Sequence, residues 1–158
     1  MSRTLVAFFS AGGTTKKLAA ELAEVTGADL FEIVPENPYT QADLNWMNPG
    51  SRSSVEMKDR ACRPSIASKV DNMSVYDVVF VGFPVWWYRE PSIIDTFAEA
   101  YDFSGKTIVP FATSGSSEIG DSGKNIGELA KGAKTEEGAR FSARTSKDEL
   151  KTWAEQYL

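Results

Sequence analysis

Ser10-Ala11-Gly12-Gly13-Thr14-Thr15 packs three hydroxyls and two glycines into six residues, a composition able to cradle an anion. Where such a run opens a helix, free backbone N–H groups and the helix dipole point at the ligand. Glycine lets the ligand approach, and hydroxyls donate further bonds. The run has neither the GxxxxGK[ST] spacing of a magnesium-dependent nucleotide hydrolase nor the GxGxxG of dinucleotide binding. It is also neutral, because Lys16 and Lys17 fall within the following helix. A monophosphate held by hydrogen bonds suits it. The simpler alternative is a strand-to-helix turn capped by Thr14 or Thr15; the position between a first strand and a first helix favours the phosphate.

Two further clusters sit at equivalent places. Gly82-Phe83-Pro84-Val85-Trp86-Trp87-Tyr88 follows an apolar run and puts three large aromatics side by side. Adjacent Trp86 and Trp87 cannot both face one core from an extended strand, so at least one lies at the surface or against a ligand. A flat aromatic cofactor stacked on an indole would account for the cluster; a partner interface or a core corner is the alternative. Ala112-Thr113-Ser114-Gly115-Ser116-Ser117 is small and hydroxyl-rich, able to satisfy a heteroaromatic edge with backbone groups.

Composition removes other chemistries. The 158 residues include no histidine and one cysteine, Cys62. Ser-His-Asp or Cys-His catalysis, His-ligated zinc or haem, cysteine-held iron–sulfur clusters and internal disulfides are therefore excluded. A bound organic cofactor is the natural agent of any hard chemistry. The net charge of −5 disfavours nucleic acid and anionic membranes, favours solubility, and suits a partner with a basic patch. No run approaches the roughly 20 apolar residues of a membrane span, and residues 5–9 are too short an apolar run for a signal-peptide core. A cytoplasmic protein is expected.

The elements that must position these loops alternate along the chain. Residues 4–9, 77–83 and 106–113 are continuous apolar runs, as strands covered on both faces require. Residues 29–34 alternate and read as a less covered strand, and 139–142 are a poor candidate. Pro110 costs its strand a ladder donor. Leu18, Leu22 and Val25 mark a helix from Thr15 that Gly27 stops, and Pro91 opens another carrying Ile93, Ile94, Phe97 and Tyr101. A weaker helix spans about 125–131, and 147–157 closes the chain. The pattern predicts right-handed βαβ units in one domain over 1–158, with ligands beyond the strands' carboxyl ends. Residues 37–68 fit poorly, with Pro38, Pro49 and Pro64. They predict an irregular excursion over about 37–64, containing Tyr39, Trp46 and Arg52, then a short crossover helix near 65–70.

FSAGGTTKKLA (residues 9–19) resembles the phosphate loop of the flavodoxin family, often written S-x-T-G-x-T. Gly12 stands where Thr or Ser is commoner, so only a backbone contact is expected there. GFPVWWYREP (82–91) and FATSGSSEIGDS (111–122) resemble the two isoalloxazine-flanking loops of the short flavodoxin-like branch. YTQADLNW with the later SR (39–46, 51–52) is similar to that branch's segment after the second strand. The resemblance implies a three-layer, doubly wound α/β sandwich with a five-stranded parallel sheet of order 2-1-3-4-5, binding FMN non-covalently. It puts Ser10, Gly12, Gly13, Thr14 and Thr15 on the FMN phosphate. Pro84, Val85, Trp86 and Trp87 would meet the ring system, with Thr113, Ser114 and Gly115 on its other side. Either of the two tryptophans could stack. Because the loop after the fourth strand lacks an aromatic, Trp46 or Tyr88 is the candidate second stacking partner.

The resemblance implies an electron-transfer protein with no catalytic side chain and no metal, whose acidic surface meets a redox partner with a basic docking surface. The alternative is an FMN-dependent NAD(P)H:quinone or nitro-compound reductase. Its small quinone-like substrate would enter a pocket built by residues 39–60, where Arg52 could meet an anionic group. The phosphate loop argues against a third reading, an interaction module without flavin. Monomer and dimer are both compatible with the sequence.

Overall fold

A computed structural model describes residues 3–115 and 117–158. Five strands form a parallel sheet in the order β2-β1-β3-β4-β5: β1 (Thr4–Phe8), β2 (Asp29–Glu32), β3 (Val78–Pro84), β4 (Thr107–Thr113) and β5 (Lys134–Thr135). A sixth strand, β6 (Ala139–Phe141), also pairs with β4. This is the α/β fold and the order that the resemblance implies. Pro110 falls where β4 exchanges β5 for β6 as its neighbour, so the sheet is interrupted where its ring removes a donor.

The apolar runs alternate between two cores, as period-2 strands must. Val6, Phe8, Val78, Phe80, Val109 and Phe111 face the layer of α1 (Thr14–Thr26) and α5 (Lys147–Glu155). Leu5, Ala7, Val79, Val81, Ile108 and Ala112 face the layer of α3 (Ser92–Ala100) and α4 (Ser122–Leu129). Gly82 is needed for this packing, because a Cβ there would lie 2.2 Å from the Phe111 ring. α1 ends at Gly27 in the left-handed conformation, and α5 begins with a capping box between Ser146 and Glu149. Among the described residues, no helix is long and apolar enough to cross a membrane.

The expected crossover helix near 65–70 is absent; the excursion's helix is α2 (Arg52–Lys58), earlier in the chain. Ser51 caps it by accepting from the Ser54 N–H, and Arg52 donates to Glu56 one turn on. Residues 65–67 are extended instead. The Ala67 N–H donates to the Val34 carbonyl and the Glu36 N–H to that of Ser65, on either side of an antiparallel Pro35–Ile66 bridge. Backbone groups committed to pairing with the chain leaving β2 are not available to a helix.

Candidate functional site

The loop between β1 and α1 turns at Gly13, whose φ of 95° favours glycine. Ser10 Oγ accepts from the N–H groups of Gly13 and Lys16, at 3.1 and 3.2 Å. Ser10 therefore closes the turn, and it does so rather than Thr14 or Thr15, the caps of the simpler alternative. The N–H groups of Gly12, Thr14 and Thr15 make no bond to any described residue, and a Cβ at Gly12 or Gly13 would meet nothing within 4 Å. Unpaired donors at the head of a thirteen-residue helix, beside open space, are what an anion needs.

Thr15, only 1% exposed, reaches across to β4, where its Oγ1 lies 2.6 Å from Thr113 Oγ1. One of the two hydroxyl protons is used between them, leaving the other for a ligand. A cavity of about 350 Å³ opens here. Ala11, Gly12, Thr14 and Thr15 line it from the loop after β1, Pro84 and Trp86 from the end of β3, and Thr113, Ser114 and Gly115 from the end of β4, together with Ala143. Eight of the twelve residues singled out from the sequence thus meet in one cleft at the carboxyl ends of β1, β3 and β4. Ser10 and Gly13 shape its loop. Ala11 and Ala143 carry no sequence signal, since alanine in a turn announces nothing. The Ser114 hydroxyl donates to the Ser117 carbonyl and the Ser114 N–H to that of Phe141, which holds the loop after β4. Ser116 of that loop lies outside the described residues.

After β3 the chain makes a tight hairpin. The Trp86 N–H donates to the Arg89 carbonyl and the Arg89 N–H to that of Trp86, at 3.0 and 3.1 Å. Trp87 and Tyr88 between them have φ of 48° and 64°. Left-handed backbone at both central positions is the pattern of a type I′ turn, which Asn and Gly ordinarily fill; bulky aromatics hold it under strain. The turn leaves Trp87 39% and Tyr88 78% exposed. Trp86 instead packs edge-on against Phe9 and Tyr39, with centroids 5.5 and 5.4 Å away.

A second cavity, of about 480 Å³, shares Trp86 as a lining residue with the first. Val85, Trp87, Tyr88 and Ser117 line it from the sheet loops, and Leu44, Trp46 and Ser53 from the excursion. The remaining two sequence candidates, Val85 and Trp87, therefore sit here, outside the phosphate-loop cleft. The excursion is fastened through Tyr39. Its hydroxyl donates to Glu56, its ring lies 3.9 Å beneath the Arg52 guanidinium, and burial with the adjacent Glu56 charge holds that hydroxyl far above its ordinary pKa. Arg52 donates to Glu56 Oε2 at 2.9 Å and to the Asn37 carbonyl at 2.6 Å. Within the chain, Arg52 is thus held to the excursion. Burial and the charge of Glu56 raise the Cys62 thiol's pKa, which disfavours the nucleophilic thiolate.

The hairpin is also fixed from below. The buried Arg89 donates to the Met57 carbonyl at 3.2 Å, tying β3's loop to the end of α2, and lies 3.6 and 3.5 Å from Glu90 and Asp95. Asn125 donates to Glu90 Oε1 at 3.0 Å. Burial, then the neighbouring Glu90, pushes the Asp95 carboxyl up to about 8, against the pull of Arg89 and Arg63. Sequence reading missed this cluster; its only sign was charge inside an otherwise apolar helix opening. Among the described residues, no group of His, Cys, Asp or Glu is placed to hold a metal ion.

A family model described as Flavodoxin matches residues 3–157. A crystal structure described as a flavoprotein from Bacteroides eggerthii is 46% identical, covering 99% of this chain and 98% of that one, with a TM-score of 0.90. Another from Bacteroides uniformis is 44% identical over 98% of both chains, with a TM-score of 0.92. A flavoprotein from Lactobacillus acidophilus, crystallised in complex with FMN, shares the fold at 21% identity and a TM-score of 0.68, covering 98% of this chain and 99% of that one. No curated protein matches the sequence.

Proposed function

Because the chain belongs to the flavodoxin family, we propose that it holds FMN non-covalently in the phosphate-loop cleft and passes electrons through it. The observation that carries this reading is the cleft itself: unpaired N–H groups at Gly12, Thr14 and Thr15 face open space bounded by the loops of two further strands. These donors, with the hydroxyl proton left over between Thr15 and Thr113, suit a phosphate held without a cationic side chain. Pro84 and Trp86 from the end of β3, with Thr113, Ser114 and Gly115 from the end of β4, suit a flat ring system leaving the phosphate. The L. acidophilus relative, described with FMN, supports the choice of ligand.

Bound FMN would supply reversible electron uptake and release. The chain's own part is to orient the ligand, exclude water with Trp86, and tune the potential through backbone groups and its net negative charge. That charge suits docking to a basic redox partner. The second cavity favours the alternative, an FMN-dependent NAD(P)H:quinone or nitro-compound reductase, since it gives a small acceptor a place beside Trp86. To separate the two, the FMN-loaded protein is mixed with NADPH and a quinone. The carrier reading expects no turnover until a flavin reductase is added; rapid NADPH oxidation by the protein alone would overturn it in favour of the enzyme.

A further inference from the structure

Two carboxyl oxygens next to the hairpin, Glu90 Oε2 and Asp95 Oδ1, are buried with no hydrogen-bond partner among the described residues. Their residues are 0% and 1% exposed. The other oxygen of each is engaged: Asn125 donates to Glu90 Oε1 at 3.0 Å, and Arg89 Nη1 lies 3.5 Å from Asp95 Oδ2. Ionised carboxylates only accept, so two of them cannot satisfy each other. A protonated carboxyl donates, and Asp95 and Glu90 are within hydrogen-bonding reach. One proton between them would serve both orphaned oxygens at once, removing a desolvation cost that folded proteins seldom carry.

Charge counting leads to the same place. The charged groups around the pair are Arg89 from the hairpin, Arg63 from the chain after α2, and Glu99 from α3, while α4 presents the neutral Asn125. Arg63 is bonded through Nε to Glu99, and its Nη1, 3.9 Å from Asp95, donates to the Arg60 and Cys62 carbonyls. Arg89 donates to the Met57 and Glu90 carbonyls. Two guanidiniums thus stand against three carboxylates, so one negative charge is in excess unless a proton cancels it. Burial and the neighbouring Glu90, which push the Asp95 carboxyl up to about 8, agree with this count.

We propose that Asp95 Oδ1 and Glu90 Oε2 share one proton, and that this proton latches the hairpin carrying Trp86 and Trp87. When the Asp95 O–H bond breaks, the proton passes to bulk water and two like charges are left together. They flank Arg89, the side chain that ties the hairpin to α2. The hairpin has strain to release, since Trp87 and Tyr88 hold left-handed backbone. Trp86, which lines both cavities, then loosens with the turn. The latch belongs to the chain itself and needs no flavin.

The test is fluorine NMR of the flavin-free protein labelled with fluorotryptophan, with signals assigned by single Trp→Phe variants. Over about pH 6 to 9, the Trp86 and Trp87 signals should shift together with one midpoint near 8. The light-to-heavy-water isotope shift of Trp86, which grows with water access, should rise across the same midpoint. Trp153, packed against Phe80 in the other core, should stay still. Asp95→Asn and Glu90→Gln each keep a donor between the two side chains but cannot share a titrating proton, so both should leave Trp86 and Trp87 unmoved. Flat signals in the parent, or a transition that survives in either variant, would overturn the proposal. So would a midpoint with no change in the Trp86 isotope shift, which would mean a proton that holds nothing.

Discussion

The loop after β1 and the hairpin after β3 both end a buried strand, yet they are held in different ways. The first is a local device: Ser10 Oγ satisfies two N–H groups within six residues, and Gly13 makes the turn. The second depends on distant side chains. Arg89 reaches the Met57 carbonyl, Tyr39 braces Trp86, and Glu56 ties Tyr39 to Arg52. A ligand's phosphate can be gripped by backbone already fixed by the helix start, whereas aromatic rings must be aimed by long-range packing. Damage to the first region should therefore appear in ligand affinity, and damage to the second in stability.

The largest effect is expected at Arg89. Arg89→Met leaves Glu90 and Asp95 buried without their closest cation, and breaking such a pair costs about 3–5 kcal/mol. A urea titration checks it; an unchanged midpoint would mean that the hairpin is not held by this cluster. At the other region, Gly12→Asp places a carboxylate in the open space above the loop. Like charge against a phosphate should weaken FMN binding by roughly 100-fold or more while the thermal midpoint barely moves. A variant that loses stability instead would erase the contrast between the regions.

A subtler difference is pH. Asp95 is raised from 3.8 to about 8, so the folded chain keeps a proton that the unfolded chain releases above about pH 4. Its contribution to stability is full below that pH and is lost progressively as pH rises toward about 8. Asp95→Asn cannot titrate. Its unfolding midpoint should gain on the parent's steadily across this window, and parallel curves would show that Asp95 is not the group responsible. The smallest effect is Tyr39→Phe, which removes the bond to Glu56 but keeps the ring against Phe9 and Trp86. The expected loss is about 1.5 kcal/mol by urea titration, with FMN affinity little changed.

The same contrast explains what could be read from the chain. The strands were legible because burial on both faces demands unbroken apolar runs, and the phosphate loop because its chemistry is contiguous. That Ser10 closes the loop was not legible, since which of several hydroxyls turns inward is decided by backbone geometry rather than residue type. The helix expected near 65–70 failed because those residues pair with the chain after β2. The second cavity's far wall was only loosely foreseen: Trp46 carried a signal, but Leu44 and Ser53 lie in an irregular segment with no period to reveal them.

The claim that the cleft at Gly12, Thr14 and Thr15 recognises a phosphate is tested most directly by titrating the flavin-free protein with FMN and with riboflavin, following flavin fluorescence. One FMN per chain should bind, with riboflavin at least roughly 100-fold weaker because it cannot use the loop's charge-assisted donors. Equal affinity for the two flavins, or binding of neither, would contradict the account.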